Sequence, residues 1–183
     1  NASIFYDNVK VPRAYRLAGP GRDCRFYYGI ISGGQWHSAI ISLGIAQAAF
    51  DLALDYTRER KSHGRPVREW SMVAGILADM AVQLEIVRGA VYNYGWMLDH
   101  PEAYGASFSS EMMSKAGIVR IFSADAAVWI TNKAMELMGS NGLSPEFHLE
   151  KYLRDAKVLQ LWLGGQQVSR YRVVKGYYDY TVP

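Results

Sequence analysis

Three long stretches of the chain repeat apolar residues at the spacing of one helix face. They cover residues 33–60, 68–98 and 107–138, and a glycine or proline follows each of them closely. Residues three and four apart lie on the same side of an α-helix, so each stretch predicts a helix of about 30 residues, or about 45 Å. Two shorter helices are predicted after them, at 147–162 and from the next glycine pair to about residue 175.

Short polar connections between long helices favour antiparallel neighbours. We therefore predict an all-α fold, an up-and-down four-helix bundle with an extra short C-terminal helix, over residues 31–183. Apolar residues occur on more than one side of the long helices, which fits either burial in a larger assembly or one thick core.

The first 30 residues do not follow the helical pattern. Phe5–Pro12 alternates as a strand does and ends in proline, whereas 13–30 is rich in glycine and is predicted to be a loop. A lone strand has no partner for its hydrogen bonds. We interpret residues 1–30 as a residual strand and linker from a missing β domain.

Composition excludes several classes of protein. The chain has 183 residues, a formal charge of only +3 and no dense block of lysine and arginine, which gives no support for a nucleic-acid or membrane-surface role. We see no apolar run long enough to span a bilayer and no signal peptide. The single cysteine excludes an intrachain disulfide and favours a reducing, cytoplasmic compartment. Zinc-protease, P-loop, hydrolase and di-iron motifs are absent from the sequence, and no metal site is predicted.

Two glycine turns flank the fourth predicted helix. The first begins at Gly139 and Ser140, the second is Leu163–Gln167, and an Arg154-Asp155-Ala156 triplet lies between them. We predict that the charged pair of this triplet forms a structural ion pair.

A further motif lies at the end of the first long helix. Tyr56, Arg60, Gly64 and Pro66 follow the pattern Tyr-x-x-x-Arg-x-x-Phe-Gly-x-Pro, with His63 in the phenylalanine place. In this order and at these separations, the motifs resemble the C-terminal helical domain of the acyl-CoA dehydrogenases.

The resemblance implies a flavin-dependent oxidoreductase. In that family a base removes the α-hydrogen of an acyl-CoA thioester as a proton, and the flavin takes a hydride from the β-carbon. Electrons then pass to an electron-transferring flavoprotein. The resemblance further implies FAD as cofactor, assembly into a homodimer or homotetramer, and an N-terminal helical domain and a β domain before this chain. The isolated domain is expected to be inactive.

Cofactor contacts are implied residue by residue. Arg60 would reach the FAD pyrophosphate of a neighbouring subunit, because a guanidinium binds phosphate oxygens in pairs. Without the resemblance, Arg60 would be interpreted as a surface residue at a helix end. The other implied cofactor-binding residues are His63, Glu136, Gly139, Ser140, Gly165 and Gln167. Four of them depart from the family pattern: His63 replaces a phenylalanine, Glu136 a glutamine, Ser140 a glycine and Gly165 a threonine. The glutamate adds repulsion towards a pyrophosphate, and the change from threonine to glycine removes a hydroxyl.

The catalytic carboxylate of the family is missing from this chain. Removing an α-proton needs a desolvated carboxylate close to that carbon, but the two positions that carry it in the family are occupied by Leu163 and Gly34. The substrate-binding residues implied are Gln35, Leu163 and Gly164. Three explanations remain open: a base in the missing domains, a non-catalytic flavin- or acyl-CoA-binding or oligomerisation subunit, or a divergent flavoenzyme reaction.

Overall fold

A computed structural model describes residues 2–178, with the side chains of residues 25, 28 and 32 excluded. The helices are α1 (Asp23–Glu59), α2 (Ser71–Asp99), α3 (Pro101–Tyr104), α4 (Ser110–Met138), α5 (Ser140–Leu143), α6 (Leu149–Leu161) and α7 (Gly165–Lys175). Two short antiparallel strands, β1 (Lys61–Ser62) and β2 (Arg65–Pro66), form a hairpin between α1 and α2. Short 3-10 turns cover Arg13–Tyr15, Val67–Glu69, Pro145–Phe147 and Trp162–Gly164.

Helices α1 and α2 run antiparallel. The indole nitrogen of Trp36 donates a hydrogen bond to the carbonyl oxygen of Val91 at 3.3 Å. Further along the two helices, Arg88 of α2 donates a hydrogen bond to the side-chain oxygen of Gln47 of α1. Rising residue numbers on α1 therefore meet falling numbers on α2.

The remaining helices complete the up-and-down order. Helix α4 runs parallel to α1, since Gly117 lies beside Gln35 and Asn141, just after α4, bonds to Tyr56. Helices α6 and α7 follow each other end to end along α4 in the opposite direction. The structure confirms the all-α bundle with a short C-terminal helix, and it shows that α6 and α7 together form the fourth rod, broken at the second glycine turn.

Helix α4 lies at the centre of the bundle. It packs against α1, α2, α6 and α7, and its buried face is made mostly of small side chains. Small residues let helix backbones approach closely, and burying their apolar surface contributes about 25 cal/mol per Å². The buried residues of α4 include Ala116, Gly117, Ala124, Ala127, Ile130 and Ala134. The helix begins as its serine-rich entry predicts, with the Ser109 hydroxyl accepting a hydrogen bond from the Met112 amide at 3.2 Å.

The start of the chain differs from the sequence prediction. Helix α1 begins at Asp23, so the predicted loop over 13–30 is wrong for residues 23–30, and the boundary placed at residue 30 falls inside a helix. Glycine inside a helix costs only about 1 kcal/mol, so Gly29 does not prevent the first turns of α1 from being helical. Within residues 2–12 no strand is formed, since a β ladder needs a partner strand.

The prediction that no apolar run reaches bilayer length is also wrong when helix length and mean hydropathy alone are considered. Gly29–Glu59 of α1 is long and apolar enough to cross a membrane by length and composition alone. A core helix passes the same test, and this one buries Ala39, Ala46, Ala49 and Ala53 inside the bundle. Length and composition therefore do not make α1 a membrane span.

Candidate functional site

The ends of α1 and α4 enclose an open cleft of about 610 Å³. Its lining includes two cations, Arg60 and Lys61, directly after α1, together with Gly139 and Ser140 of the first glycine turn. The structure thus brings together four of the predicted cofactor residues, Arg60 from the end of α1 with Glu136, Gly139 and Ser140 from the end of α4. Paired cations beside a glycine turn suit the oxygens of a phosphate group.

Gly139 ends α4 in a conformation that glycine adopts easily. Its φ is +59°, its amide donates to the Met135 carbonyl at 2.9 Å, and no atom lies within 4 Å of the place where a Cβ would be. The Asn141 side-chain amide donates to the Tyr56 hydroxyl at 3.2 Å. This bond ties the turn to α1 and leaves the glycine surface open to a ligand.

The hairpin after α1 orients the residues of this wall. His63 and Gly64 are its central residues, with φ of +50° and +81°, as a two-residue type I′ turn requires. The His63 ring lies edge-on to Trp70, with 6.0 Å between ring centroids, and Arg65 stacks on the same indole at 3.7 Å. The cleft is lined by the neighbouring Ser62. In this arrangement His63 packs on Trp70, and its contact with a cofactor stays a prediction.

Glu136 lines the same cleft, but its negative charge is already compensated. Its two carboxylate oxygens accept from the Asn132 amide at 2.9 Å and from the Lys133 ammonium at 2.7 Å. The repulsion expected from a glutamate beside a pyrophosphate is therefore reduced. With two cations, an open glycine turn and a neutralised acid, these residues fit an anionic dinucleotide such as FAD.

The second glycine turn breaks the fourth rod. Leu163, Gly164 and Gly165 follow one another with φ of +53°, +85° and +71°. Leucine in this region costs about 1–2 kcal/mol, so surrounding contacts must hold it there. Gly165 and Gln167, the predicted flavin-binding residues of this turn, begin α7 directly after the reversal.

Leu163 packs against Gly34 of α1. Its Cδ1 atom lies 3.0 Å from the place where a Cβ on Gly34 would be. The two positions at which the resemblance predicts a catalytic carboxylate are therefore in contact in this chain. The space between them accommodates one side chain, which here is apolar.

A second cleft, of about 680 Å³, lies beside this contact. Leu163 and Gly164, both predicted to bind substrate, line it together with Tyr27 and Ile31. Gln35, the third predicted substrate residue, does not line the cleft. It is fully buried beside Gly117, and neither polar atom of its side chain has a hydrogen-bond partner among the described residues.

The only carboxylate in the described lining of this cleft is Asp23. It accepts hydrogen bonds from Arg16, at 3.1 Å from the guanidinium Nε, and this bonding lowers the pKa of Asp23. Abstraction of an α-proton needs the opposite shift, a carboxylate made more basic by desolvation. Asp23 is thus poorly suited to replace the missing base.

Two residues of α4 hold the second glycine turn, and the sequence analysis singled out neither. Arg120 is fully buried and donates to the carbonyl oxygens of Gly165 at 3.0 Å and Leu159 at 3.2 Å, and also to the Trp162 carbonyl. Asp125 accepts from the side-chain amides of Gln160, at 2.7 Å, and Gln166. A charged residue on the apolar face of α4, four positions after Ala116, was the signal that could have revealed Arg120.

The Arg154-Asp155 pair does not form the predicted ion pair. Arg154 binds Glu150 at 2.7 Å and Asp155 binds Lys151, each one turn earlier on α6. Adjacent residues on a helix point in different directions, whereas residues four apart face each other.

The two glycine turns are far apart within one chain. Leu163 contacts Gly34, whereas Arg60 and Gly139 lie at the far ends of α1 and α4. At 1.5 Å per residue the separation is about 30–40 Å, which exceeds the length of a dinucleotide. One cofactor cannot touch both turns of the same chain.

Known proteins of similar sequence point to the same family as the motifs and the two clefts. Residues 29–178 match the family model described as acyl-CoA dehydrogenase, C-terminal domain. The chain is 34% identical over 175 residues to a 3-sulfinopropanoyl-CoA desulfinase of Paraburkholderia xenovorans, covering 94% of this chain and 43% of that protein. These matches define an acyl-CoA dehydrogenase-like helical domain. The chain belongs to the acyl-CoA dehydrogenase family and corresponds to its C-terminal domain.

Solved structures agree with this assignment. Butyryl-CoA dehydrogenase from Megasphaera elsdenii superposes with a TM-score of 0.83 at 28% identity, covering 94% of this chain and 43% of that one. A chain from a structure described as the electron transferring flavoprotein of Acidaminococcus fermentans gives 0.85 at 27% identity, covering 96% and 44%. The chain spans less than half the length of the relatives it matches.

Proposed function

We propose that this chain is the C-terminal domain of an FAD-dependent, acyl-CoA dehydrogenase-like oxidoreductase, which removes hydrogen from the α- and β-carbons of acyl-CoA thioesters. The observation that carries the proposal is the cleft that joins Arg60 and Lys61 to the open turn at Gly139 in a bundle of this family. The isolated domain is inactive, since it contributes walls of the site and no base. We also propose that the residues before α1, up to residue 22, connect the helical domain to a β domain.

In this proposal Arg60 and Lys61 bind the pyrophosphate of FAD, with Gly139 and Ser140 closing against it. Gly165 and Gln167 lie at the flavin end of a cofactor. When bound, FAD supplies the hydride-accepting chemistry. Leu163 and Gly164 contribute an apolar wall beside the substrate and exclude water from it, which strengthens polar interactions in the site.

The distance between the turns supports a shared cofactor. Because about 30–40 Å separates them along one chain, one FAD that contacts both kinds of turn must lie between two copies. We therefore propose a homodimer or homotetramer. An acyl-CoA thioester is the substrate and an electron-transferring flavoprotein the electron acceptor, in keeping with the butyryl-CoA dehydrogenase and the electron transferring flavoprotein among the similar structures. A cytoplasmic location is proposed from the single cysteine.

The test uses the full-length natural protein. It is purified, stripped of flavin and titrated with FAD, and uptake is followed by visible absorbance. We expect about one FAD per protomer in the wild type and a large loss of affinity in Arg60→Glu. Arg154→Glu, an exposed arginine on α6, is the control and is expected to bind FAD normally. A wild type that takes up no FAD would refute the proposal.

A second candidate is a site without α-proton abstraction, either a divergent flavoenzyme reaction or a non-catalytic subunit of a mixed complex. The packing of Leu163 on Gly34 favours it, since neither position supplies a carboxylate. One relative is named for desulfination of a CoA thioester, not for dehydrogenation. Full-length protein that binds FAD and acyl-CoA but reduces no dye with any acyl-CoA would favour this candidate. Dye reduction by the wild type would favour the first.

A further inference from the structure

Arg120 has an unusual environment for a charged side chain. It is fully buried in α4, and in the part of the chain that the structure describes no carboxylate forms an ion pair with it. Burial lowers the pKa of its guanidinium, and the positive charge of Arg172 lowers it further. A buried charge without an opposite charge is unfavourable unless its hydrogen bonds are satisfied.

The acceptors of Arg120 are the backbone groups around the second glycine turn. Leu159 lies in the last turn of α6 and Trp162 directly follows this helix, and Arg120 donates to both carbonyls. The Trp162 carbonyl also accepts from the Gly165 amide within the turn. The C-terminal end of a helix carries partial negative charge, which favours a nearby cation. On the other side of the turn, Arg120 donates to the Gly165 carbonyl and to the Ser169 hydroxyl.

Asp125, which follows Arg120 on α4, also forms hydrogen bonds to residues around the second glycine turn. Its Oδ1 atom accepts from the side-chain amides of Gln160 on α6 and Gln166 on α7. Arg120 and Asp125 thus each bind residues on both sides of Leu163. Because both side chains connect α6 to α7 through hydrogen bonds, together they fix the direction of the chain at Leu163–Gly165.

We propose that Arg120 and Asp125 are positioning residues, which together hold the second glycine turn in its left-handed conformation and so set the direction of the residue 163 side chain and of Gly165 and Gln167. We call Arg120 and Asp125, with their hydrogen bonds to this turn, the clamp. The clamp holds Leu163 against Gly34. The functional consequence rests on the proposed function above, but the clamp itself is a property of this chain that is measurable with or without FAD.

The first measurement is hydrogen exchange, by mass spectrometry, in the full-length natural protein. Arg120→Met removes the donors and keeps an apolar stem, and Arg120→Lys keeps a charge with fewer donors. Amides of 160–168 should exchange about tenfold faster or more in Arg120→Met, less in Arg120→Lys, and unchanged at 130–145. Arg88→Met removes another interhelical hydrogen bond, the one to Gln47, and should leave 160–168 unchanged.

The second measurement reports the direction of side chain 163. Leu163→Cys in a Cys24→Ser background gives one thiol, and an uncharged maleimide measures its exposure. Adding Arg120→Met should speed labelling about tenfold, whereas adding Arg88→Met should not change it. Where Arg120→Met does not fold, Asp125→Ala, which removes the acceptor of both glutamine side chains, provides the same comparison with a smaller change in the same direction.

A uniform rise in exchange over the whole bundle, or no change at 160–168, would overturn the clamp. Unchanged labelling at position 163 would do the same. FAD uptake by the wild type is measured in parallel, so failure of the proposed function is seen separately from failure of the clamp.

Discussion

At the scale of the residue, the most informative position is Leu163. We predict that Leu163→Glu in the full-length protein brings a carboxylate to the apolar cleft beside Gly34 and raises acyl-CoA-dependent dye reduction by about 100-fold or more. The apolar surroundings should also raise the pKa of the new carboxylate, which makes it a stronger base. Steady-state assays with short- and medium-chain acyl-CoA substrates measure the change.

Leu163→Gln is the matched control for this prediction, since it has the same shape and cannot accept the proton. It should leave dye reduction at the wild-type level. Equal activity in the glutamate and glutamine variants would show that position 163 does not face the reacting carbon.

Gly34 gives a second prediction at the same scale. Replacing glycine by alanine in a helix interior usually stabilises by about 0.5–1 kcal/mol, and Gly44→Ala on the same helix, where no atom lies within 4 Å of the new methyl, should show this gain. Gly34→Ala should instead lose about 1 kcal/mol, because its methyl meets Leu163. Urea unfolding measures both.

A double-mutant cycle makes the cause specific. In a Leu163→Ala background the contact is gone, so Gly34→Ala should become stabilising, as Gly44→Ala is. An effect of Gly34→Ala that is the same in both backgrounds would contradict the packing between these residues.

At the scale of the element, apolar periodicity predicted the long helices well because it follows directly from burial. The two-residue strands after α1 were missed because they are too short to show alternation, although His63-Gly64 was a visible turn signal. The start of α1 was missed because glycines at 19, 21 and 29 were interpreted as loop signals, whereas the helix begins at Asp23 and continues through Gly29.

The site was only partly predictable for a related reason. The sequence could name Arg60 and Gly139 through the motif pattern, but their common cleft depends on where α1 and α4 end. Arg120 carries no motif. Its role comes from carbonyl groups of α6 and α7, whose positions exist only in the folded chain.

Helix α7 depends on one close approach to α4. A Cβ on Gly117 would lie 3.0 Å from Val173 and 3.2 Å from the Ser169 carbonyl oxygen. Gly117→Ala should therefore push α7 away and cost about 1–3 kcal/mol, since a backbone atom cannot move aside cheaply. Gly89→Ala on α2, with open space around it, is the control and should stabilise slightly. Urea unfolding with hydrogen exchange in α7 measures both, and similar stabilities for the two variants would contradict this account.

At the scale of the whole molecule, the separation of the two glycine turns leads to a prediction about which copies of the chain contribute to each FAD site. If each FAD lies between two copies, every site combines the Arg60 cleft of one chain with the Gly165 turn of the other. Arg60→Glu damages the first half of each site, and Gly165→Val, which adds a branched side chain at a φ of +71°, damages the second. Each variant alone should lose FAD binding.

Co-expression of the two full-length variants distinguishes shared from separate sites. A mixed dimer has one site with both defects and one site with neither, so random pairing should restore about a quarter of the wild-type FAD content per protomer. Differently tagged chains allow the mixed dimer to be isolated, and its bound flavin is then measured by absorbance, with one FAD expected per dimer. If each chain built its own site, every site would keep one defect and the mixed dimer would remain colourless. The restored site can arise only if the Arg60 cleft and the second glycine turn of different copies meet on the same cofactor.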